Sequence, residues 1–365
     1  MITGPTVAAT SDYENVLDFL NNNLRPEQGW SIDKEYPTAI NPHNHLNMHI
    51  VKDGDNIVSH ALTRDLMIKS PISLFKVTTI GSVVTDEKYR NKGLSKATIE
   101  NCLEASREKG CDFAILWSDL HNFYSKIGFE LAGSEISYVI NKPLPEATEP
   151  LRVIEGNKIS AQAIADLYNK HTVVSLRNAS DIQKYLAIPE MRVYTAWDSN
   201  NKLRAYAIEG KGVDLSGYIH EWGGNVTDLL SLISHMQKTQ NKTYTLIAPM
   251  HSQNLHRQMQ SLGFQPHHGY LGMIKIINPK SLFLKISNYA RSVGIPELII
   301  RQDDENEYAV GTEKNLYNTN SLSDMTQLIF GPHHPDQLKD FDNETRHKIE
   351  NILPLPMWIW GWDSI

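Results

Sequence analysis

Apolar residues in the first third of the chain recur with the periods of a mixed α/β unit. Helical segments place them three and four positions apart, whereas strand segments alternate or are continuously apolar. The predicted elements are, in order, a helix capped by Ser11 or Asp12 and ended by Pro26, strands at 46–52, 57–64 and 75–85, a helix from Gly93 to Gly110, a strand at 113–117, a short helix at 122–126 and a strand carrying Ile136, Tyr138 and Ile140. This order predicts one domain.

A second unit of similar order follows a stretch of prolines between residues 143 and 150, which predicts a linker. Its predicted elements are a helix at 160–171, a hairpin at 192–210, a helix at 227–239, a strand at 243–248 and a further segment from Asn254. Residues 254–264 resemble residues 122–129, which indicates an internal duplication.

The last segment, after Pro279, is shorter and has an aromatic end. It is predicted to be helical at 281–291 and strand-like at 297–301 and 307–311. Trp358, Trp360 and Trp362 alternate near its end, which favours a terminal strand first and a hydrophobic ligand pocket second. The chain is therefore expected to contain three domains, residues 1–145, 151–278 and 279–365.

The composition narrows the class of protein. The chain has 365 residues, of which 41% are hydrophobic, and a formal net charge of −7. A net negative charge argues against sequence-independent nucleic-acid binding and favours a cationic ligand. Two cysteines, no signal-like N-terminus and no apolar run of about 20 residues predict a cytoplasmic protein without a membrane partner. Adjacent histidine pairs without further ligands predict no metal site. The sequence does not decide whether the protein forms a homo-oligomer.

The strongest chemical signal is a strand that leads through a short loop into the start of a helix. The strand ends in Val83, Val84 and Thr85, and the loop is Arg90, Asn91, Lys92, Gly93, Leu94 and Ser95. Free amides at a helix start, the positive end of its dipole and a glycine that permits close backbone approach suit a diphosphate. Arg90 and Lys92 add cations. The competing interpretation is an ordinary strand-to-helix turn with solvated cations.

With a second motif, this stretch resembles the acetyl-CoA motif of the GNAT superfamily of N-acetyltransferases. The second motif is Leu116-Trp117-Ser118 followed by residues 123–129. The resemblance implies an α/β (α+β) mixed-sheet GNAT fold, here duplicated, with acetyl-CoA as cosubstrate. It also implies that the backbone of residues 83–85 pairs with pantetheine and that residues 90–95 hold the pyrophosphate. Ser95 stands where many members have Gly or Ala.

The same resemblance implies two catalytic groups. Tyr124 matches the tyrosine that protonates the departing CoA thiolate, as a phenol within hydrogen-bond reach can do; the alternative is a core aromatic. The shortened second motif resembles the enhanced-intracellular-survival (Eis-like) branch, which combines two GNAT units with a sterol-carrier-like tail domain. In that branch the C-terminal carboxylate is thought to reach the active site. Here it would be that of Ile365, acting as a base or only packing the tail.

Other candidates for the general base are weaker. They are Asp119, near the second motif, and the histidines His45, His49, His60 and His121. The second unit has Met259 in place of Tyr124 and no cationic loop, which predicts a degenerate copy that does no chemistry.

The expected function is direct acyl transfer from acetyl-CoA to a primary amine, with a cationic acceptor such as a polyamine, an aminoglycoside-like compound or a lysine-bearing peptide. One alternative is an aminoacyl-tRNA-dependent transferase, which also has tandem GNAT halves. The intact diphosphate loop and the lack of a basic stripe argue against it. The other is a non-catalytic acyl-CoA- or lipid-binding protein, in which the tail domain is the functional part.

Overall fold

The computed structural model describes residues 1–146, 150–304 and 306–365. The elements of the first segment are β1 (Ile2–Val7), α1 (Tyr13–Leu24), β2 (Met48–Asp53), β3 (Asn56–Lys69), β4 (Leu74–Thr85), α2 (Leu94–Glu108), β5 (Phe113–Leu116), α3 (His121–Ser125), β6 (Glu130–Ala132) and β7 (Glu135–Ile140). The predicted helices and strands of this segment are present, with ends shifted by a few residues. Strand β1 was not predicted, because Gly4 and Pro5 interrupt its pattern and it is an exposed edge strand.

The second segment continues the alternation of strands and helices. Its elements are β8 (Arg152–Glu155), α4 (Ala161–Tyr168), β9 (Val174–Ser175), α5 (Ala179–Tyr185), β10 (Arg192–Trp197), β11 (Leu203–Lys211), β12 (Asp214–Gly224), α6 (Val226–Gln240), β13 (Tyr244–Pro249), α7 (Gln253–Ser261), β14 (His267–Gly269) and β15 (Gly272–Ile276). Strand β12 was not predicted, because it carries three glycines and the buried polar residues His220 and Glu221. Residues 147–149, part of the predicted linker, lie outside the described residues.

The third segment contains a small antiparallel sheet and three helices. They are α8 (Pro279–Ser292), β16 (Ile299–Gln302), β17 (Tyr308–Thr312), β18 (Asn315–Thr319), α9 (Leu322–Phe330) and α10 (Asn343–Glu350). The predicted terminal strand is wrong. Residues 352–360 form neither helix nor strand, and a 3₁₀ turn follows at Gly361–Asp363. The three tryptophans are each 1% exposed, but they do not share one core: Trp358 and Trp360 pack in the largest core, and Trp362, within the 3₁₀ turn, packs in a second core.

The two large sheets exchange strands. The first has the order β1-β2-β3-β4-β5-β15-β6 with β9 on β3, and the second has the order β14-β7-β13-β12-β11-β10-β8. Strand β7, which the sequence pattern assigned to the end of the first unit, pairs with β13 and β14 of the second sheet. In return, β15 lies between β5 and β6. An alternating apolar pattern identifies a strand but does not show which sheet the strand joins. The domain boundaries at 145, 151, 278 and 279 stay a prediction.

The largest hydrophobic core runs through all three segments. It includes Phe113 of the first, Trp222 of the second and Phe330 of the third, and the rings of Phe113 and Phe330 lie 4.7 Å apart. Across the parts of the chain that the structure describes, no helix has the length and apolar character needed to span a bilayer. The shared core fixes the cleft between the two large sheets, where the candidate site lies.

Candidate active site

Strand β4 carries a β-bulge just before the predicted cofactor residues. Ala61 of β3 faces both Ser82 and Val83, and Ser82 has a φ of 48°. The Ser82 carbonyl accepts a hydrogen bond from Nδ1 of the buried His60 at 2.8 Å. The parallel pairing of β4 with β5 ends earlier, at Thr79. A bulge bends its strand, so the two strands diverge here and leave main-chain groups of β4 facing an opening.

The predicted phosphate loop closes one end of this opening. Gly93 is the N-cap of the 15-residue helix α2 and has a φ of 76°, a left-handed conformation that glycine adopts readily. No acidic residue lies in the first turn of α2, so its free amides keep the positive end of the dipole. A groove of about 490 Å³ runs along the loop. The predicted cofactor residues that line it are Val83, Val84, Thr85, Arg90, Asn91, Gly93, Leu94 and Ser95.

Lys92 is the one predicted cofactor residue that does not line this groove. Its Nζ lies 4.7 Å from the centre of the Tyr89 ring, and the Tyr89 hydroxyl donates to Asp53 at 2.9 Å. Arg90 lines the groove and is mostly solvated, with a guanidinium nitrogen 3.7 Å from Glu87. The structure therefore brings Arg90, and not Lys92, to the groove as a side-chain cation.

Tyr124 borders both this groove and a second cavity. It lies on α3 and is 6% exposed, with its ring edge-on to those of Phe123 and Phe129 at 5.0 and 6.1 Å. Burial raises the pKa of the phenol above its usual 10, against the opposing hydrogen bond with the Ser118 side chain. The phenol is therefore neutral at pH 7 and has a proton to donate.

The second cavity has a volume of about 750 Å³ and meets the groove at Val83, Leu120 and Tyr124. Its walls come from the bulge of β4, the loop after β5, the start of β12 and the tail after residue 357. Trp117 is part of the wall and is fixed by a hydrogen bond from its Nε1 to the Leu271 carbonyl at 2.7 Å. A molecule in this cavity and one in the groove would meet beside Tyr124.

The tail reaches the cavity at Gly81. A Cβ atom on Gly81 would lie 2.6 Å from the main-chain carbonyl carbon of Ile365, a distance that real Cβ contacts do not reach. Only glycine therefore permits this approach. The side chain of Ile365 packs against the hydrophobic cluster around α1, and the residue lines the cavity together with Ser82 and Val83. The structure thus brings both predicted catalytic residues, Tyr124 and Ile365, to one cavity.

A buried ion network holds the tail two residues earlier. Asp363 is 0% exposed and accepts hydrogen bonds from Arg177 at 2.7 and 2.9 Å and from Arg64 at 3.1 Å. Tyr185 and Ser175 also donate to its carboxylate. Arg177 in turn pairs with Glu221 at 2.8 and 3.0 Å. Two arginines and two hydroxyls thus satisfy a carboxylate that could not otherwise be buried, and Glu221 balances the charge of Arg177.

Sequence reasoning missed Glu135, which opens β7 and lines the second cavity. Within the described residues it forms no ion pair or side-chain hydrogen bond, and burial raises the pKa of its carboxyl from 4.5 to about 7. The only sequence signal was an acidic residue on the face of an alternating strand opposite Ile136 and Tyr138, which is typical of solvated positions as well. A half-desolvated carboxylate without a counterion is a receptor for a cation.

The other acidic residues of the cavity are either paired or exposed. Asp214 accepts hydrogen bonds from Tyr36 and from Arg25, the latter at 3.4 Å, and Arg25 also forms a bidentate pair with the buried Glu35. Asp119, a weaker candidate base, lies in the wall and is exposed. Glu135 is therefore the acidic residue of this wall that is both largely desolvated and without a side-chain partner among the described residues.

The histidines considered as bases lie elsewhere. His60 holds the bulge, and His49 is buried with its Nδ1 2.6 Å from the Asn101 side-chain oxygen. His45 is half-buried and His121 is exposed, and none of the four lines the second cavity. Over the described ranges, no group of three or more His, Cys, Asp or Glu side chains is arranged to hold a metal ion.

Comparison with known proteins gives a family match for the first segment of the chain and a fold for nearly all of it. Residues 7–132 match the family model of the acetyltransferase (GNAT) domain. No curated protein matches the chain significantly. The residues of the groove and of Tyr124 all fall within the matched segment.

Three solved structures share the fold over nearly the whole chain. A GCN5-related N-acetyltransferase from Anabaena variabilis ATCC 29413 has 13% identity and a TM-score of 0.66, covering 99% of each chain. Eis1 from Mycobacterium abscessus has 10% identity and a TM-score of 0.64, covering 100% of each. A probable N-acyltransferase from Enterococcus faecalis V583 has 11% identity and a TM-score of 0.65, covering 98% of this chain and 97% of that one. At such identities the likeness shows the fold alone.

Proposed function

We propose that this chain, whose residues 7–132 form a GNAT acetyltransferase domain, transfers the acetyl group of acetyl-CoA directly to a primary amine. The observation that carries the proposal is the meeting of two cavities at Tyr124. One is lined by the phosphate loop and the other by the carboxylate of Glu135. An acyl donor in the first and an amine in the second would have their reacting atoms side by side, without a covalent enzyme intermediate.

The chemistry follows from the groups at the junction. The amine nitrogen forms a bond to the thioester carbon, and the negative charge that develops on the carbonyl oxygen is stabilised by those main-chain amides of residues 83–85 that do not pair with β3. The C–S bond then breaks, and Tyr124 donates its proton to the thiolate. Burial of Tyr124 keeps that proton on the phenol until the thiolate forms.

We propose the main-chain carboxylate of Ile365 as the general base, because of where Ile365 lies in the cavity. Where Ile365 ends the chain, its carboxylate lies on Gly81, next to the bulge, and can take the proton that the amine loses. The ammonium form of the acceptor must lose one proton before attack and a second afterwards, so a carboxylate at this point has a chemical task.

The acceptor is proposed to be a cationic amine such as a polyamine, an aminoglycoside-like compound or a lysine-bearing peptide. Glu135 lacks a counterion among the described residues, and the chain has a net charge of −7. A polyamine would supply the missing positive charge on one nitrogen while another reacts. We further propose that the second unit, with the buried Met259 on α7 in place of a tyrosine, is a degenerate GNAT copy that shapes this cavity, and that residues 279–365 form a sterol-carrier-like domain.

Acetyl-CoA is expected to raise the melting temperature of the protein clearly, because a ligand at about 100 times its Kd adds about 2.7 kcal/mol of stability. Arg90→Ala should reduce that rise by weakening acetyl-CoA binding about tenfold. Lys92→Ala should reduce it less, since Lys92 lies on the Tyr89 ring. The measurement is a thermal melt with acetyl-CoA, with CoA and without ligand, followed by an assay of CoA release with a panel of amines.

Three outcomes of these assays would contradict the proposal. If acetyl-CoA does not shift the melting temperature of the wild type, the loop does not bind acetyl-CoA. A shift without CoA release for any cationic amine would favour the acyl-CoA-binding alternative. Retention of tRNA that weakens with salt would favour the aminoacyl-tRNA alternative.

Glu135→Gln is expected to raise the KM for spermidine about tenfold or more, because an ammonium loses a charge-assisted partner, while the KM for acetyl-CoA stays nearly constant. The same change should raise the melting temperature of the free protein at pH 8. The folded-state pKa of about 7 lies above the ordinary 4.5, so the charged form costs stability above pH 7 and costs none below pH 4.5. The stabilisation should therefore disappear at pH 4.5.

The matched control is Glu14→Gln, at an exposed position of α1. It should change neither the KM for spermidine nor the pH dependence of melting. An unchanged KM in Glu135→Gln, alongside the expected stabilisation, would show that the acceptor does not use this carboxylate.

A further inference from the structure

Lys211 lies at the end of β11, beneath the last turn of the tail, and is 1% exposed. Its Nζ donates to the main-chain carbonyls of Gly361 at 2.9 Å and Ser364 at 2.5 Å. The Trp362 carbonyl and the Ser364 hydroxyl lie at 3.5 and 3.4 Å. The ammonium group is therefore surrounded by main-chain oxygens of one short segment.

These carbonyls belong to the 3₁₀ turn Gly361–Asp363 and the residue after it. The last carbonyls of a helical turn have no partner within it, and an ammonium with three donors can bind several of them. The ring of Tyr36 covers the other side of Nζ, at 4.8 Å. Within the described residues Lys211 forms no ion pair shorter than 4 Å, so its partner is the backbone of the tail.

Lys211 and Asp363 hold different parts of the tail. The Asp363 side chain is fixed by Arg177 and Arg64, which settles where the segment is attached. Lys211 binds the main chain on either side of Asp363, which settles the path of the segment towards Ile365. That path matters because Gly361, Ser364 and Ile365 line the acceptor cavity.

We propose that Lys211 is a positioning residue for acyl transfer, which holds residues 361–364 so that Ser364 and Ile365 form the cavity wall beside Gly81. The effect of Lys211 on the rate of acyl transfer rests on the proposed function. Its effect on the position of the tail does not, because the hydrogen bonds to the tail exist whatever the acceptor is.

The electrostatics agree with a role other than stability. Burial lowers the pKa of Lys211 from 10.5 to about 7. Desolvation is the largest cause and Arg64 and Arg177 add to it, whereas Asp363 and Asp214 act to raise the pKa of Lys211. A buried ammonium of this kind destabilises the folded state relative to an apolar side chain. The sequence nevertheless places a lysine where a methionine would fill the same space.

The test uses the full chain with Lys211→Met and measures amide hydrogen exchange over residues 357–365 by mass spectrometry. Exchange of the amides in this segment, among them that of Asp363, which donates to the Trp360 carbonyl at 2.8 Å, should become about tenfold faster. The shift in melting temperature with acetyl-CoA should stay as in the wild type, since the phosphate loop is untouched. Lys202→Met, in the exposed turn between β10 and β11, is the matched control and should change neither.

Kinetics with acetyl-CoA and spermidine separate the two parts of the proposal. Lys211→Met should lower kcat/KM for spermidine at least tenfold at an unchanged KM for acetyl-CoA, and Lys211→Arg should restore part of both the rate and the protection. Unchanged exchange over residues 357–365 in Lys211→Met overturns the proposal, even if activity falls. A wild type that acetylates no amine removes the proposed function, yet leaves the exchange experiment valid.

Discussion

Replacing Tyr124 with phenylalanine is expected to lower kcat by about 10²–10⁴, the usual contribution of a positioned general acid. The phenylalanine ring keeps the edge-on contacts with Phe123 and Phe129, so the fold and the groove should be retained. Because the hydroxyl is the group removed, the thiolate must leave unprotonated or take its proton from water. The measurement is CoA release at saturating acetyl-CoA and spermidine, together with the melting shift that reports acetyl-CoA binding.

The control for this change is Tyr218→Phe, at an exposed position of β12. It removes a hydroxyl of the same kind from a residue that lines neither the groove nor the second cavity, and it should leave kcat as it is. If Tyr124→Phe also leaves kcat as it is, Tyr124 is only a core aromatic, which was the competing interpretation from the sequence. A fall in acetyl-CoA binding instead of kcat would assign the hydroxyl to the cosubstrate and not to proton transfer.

Asp363→Asn is expected to lower the free energy of unfolding by about 3–5 kcal/mol, because breaking a buried ion pair leaves a buried partner charged and unpaired. Arg177 would keep Glu221, whereas Arg64 would lose its carboxylate. Desolvation acts to raise the pKa of the Asp363 carboxyl, but Arg177 and Arg64 outweigh it and hold the pKa well below its usual 3.8. This contribution is present above about pH 4 and is lost as the pH falls towards the lowered pKa.

Urea unfolding at pH 7 measures the effect, with Asp18→Asn on the exposed side of α1 as the control. Asp18→Asn should change the free energy of unfolding by less than about 0.5 kcal/mol. A loss below about 1 kcal/mol in Asp363→Asn would mean that the asparagine amide satisfies the arginines, and that the tail is held mainly by its tryptophans.

Local features of this protein could be predicted from the sequence because they depend on neighbours in the chain. The apolar period of α2, the glycine at its N-cap and the strand before it predict a candidate phosphate loop without any tertiary information, and the structure has this strand, loop and helix in that order. The position of Tyr124 followed from a motif within the same segment. The GNAT-like mixed α/β fold follows from these elements and agrees with the solved structures of similar fold.

Features that depend on distant segments could not be predicted. Lys92 belongs to the loop by sequence, yet Tyr89 and Asp53 draw its side chain away from the groove. Glu135 lies in the cavity wall because β7 joins the second sheet, and the alternating pattern of β7 does not show which sheet the strand joins. Asp363, Arg177 and Lys211 are separated by up to 186 positions, so nothing local distinguishes them from solvated charges.

The exchange of β7 and β15 also has a consequence for synthesis on the ribosome. After β6 has emerged, the gap beside β5 stays open until β15 follows, which takes on the order of ten seconds at ordinary elongation rates. During that interval β5, apolar at each of its four positions, presents a bare edge. Between the translation of β6 and that of β15, the unpaired edge of β5 is therefore an aggregation hazard that the complete chain no longer has.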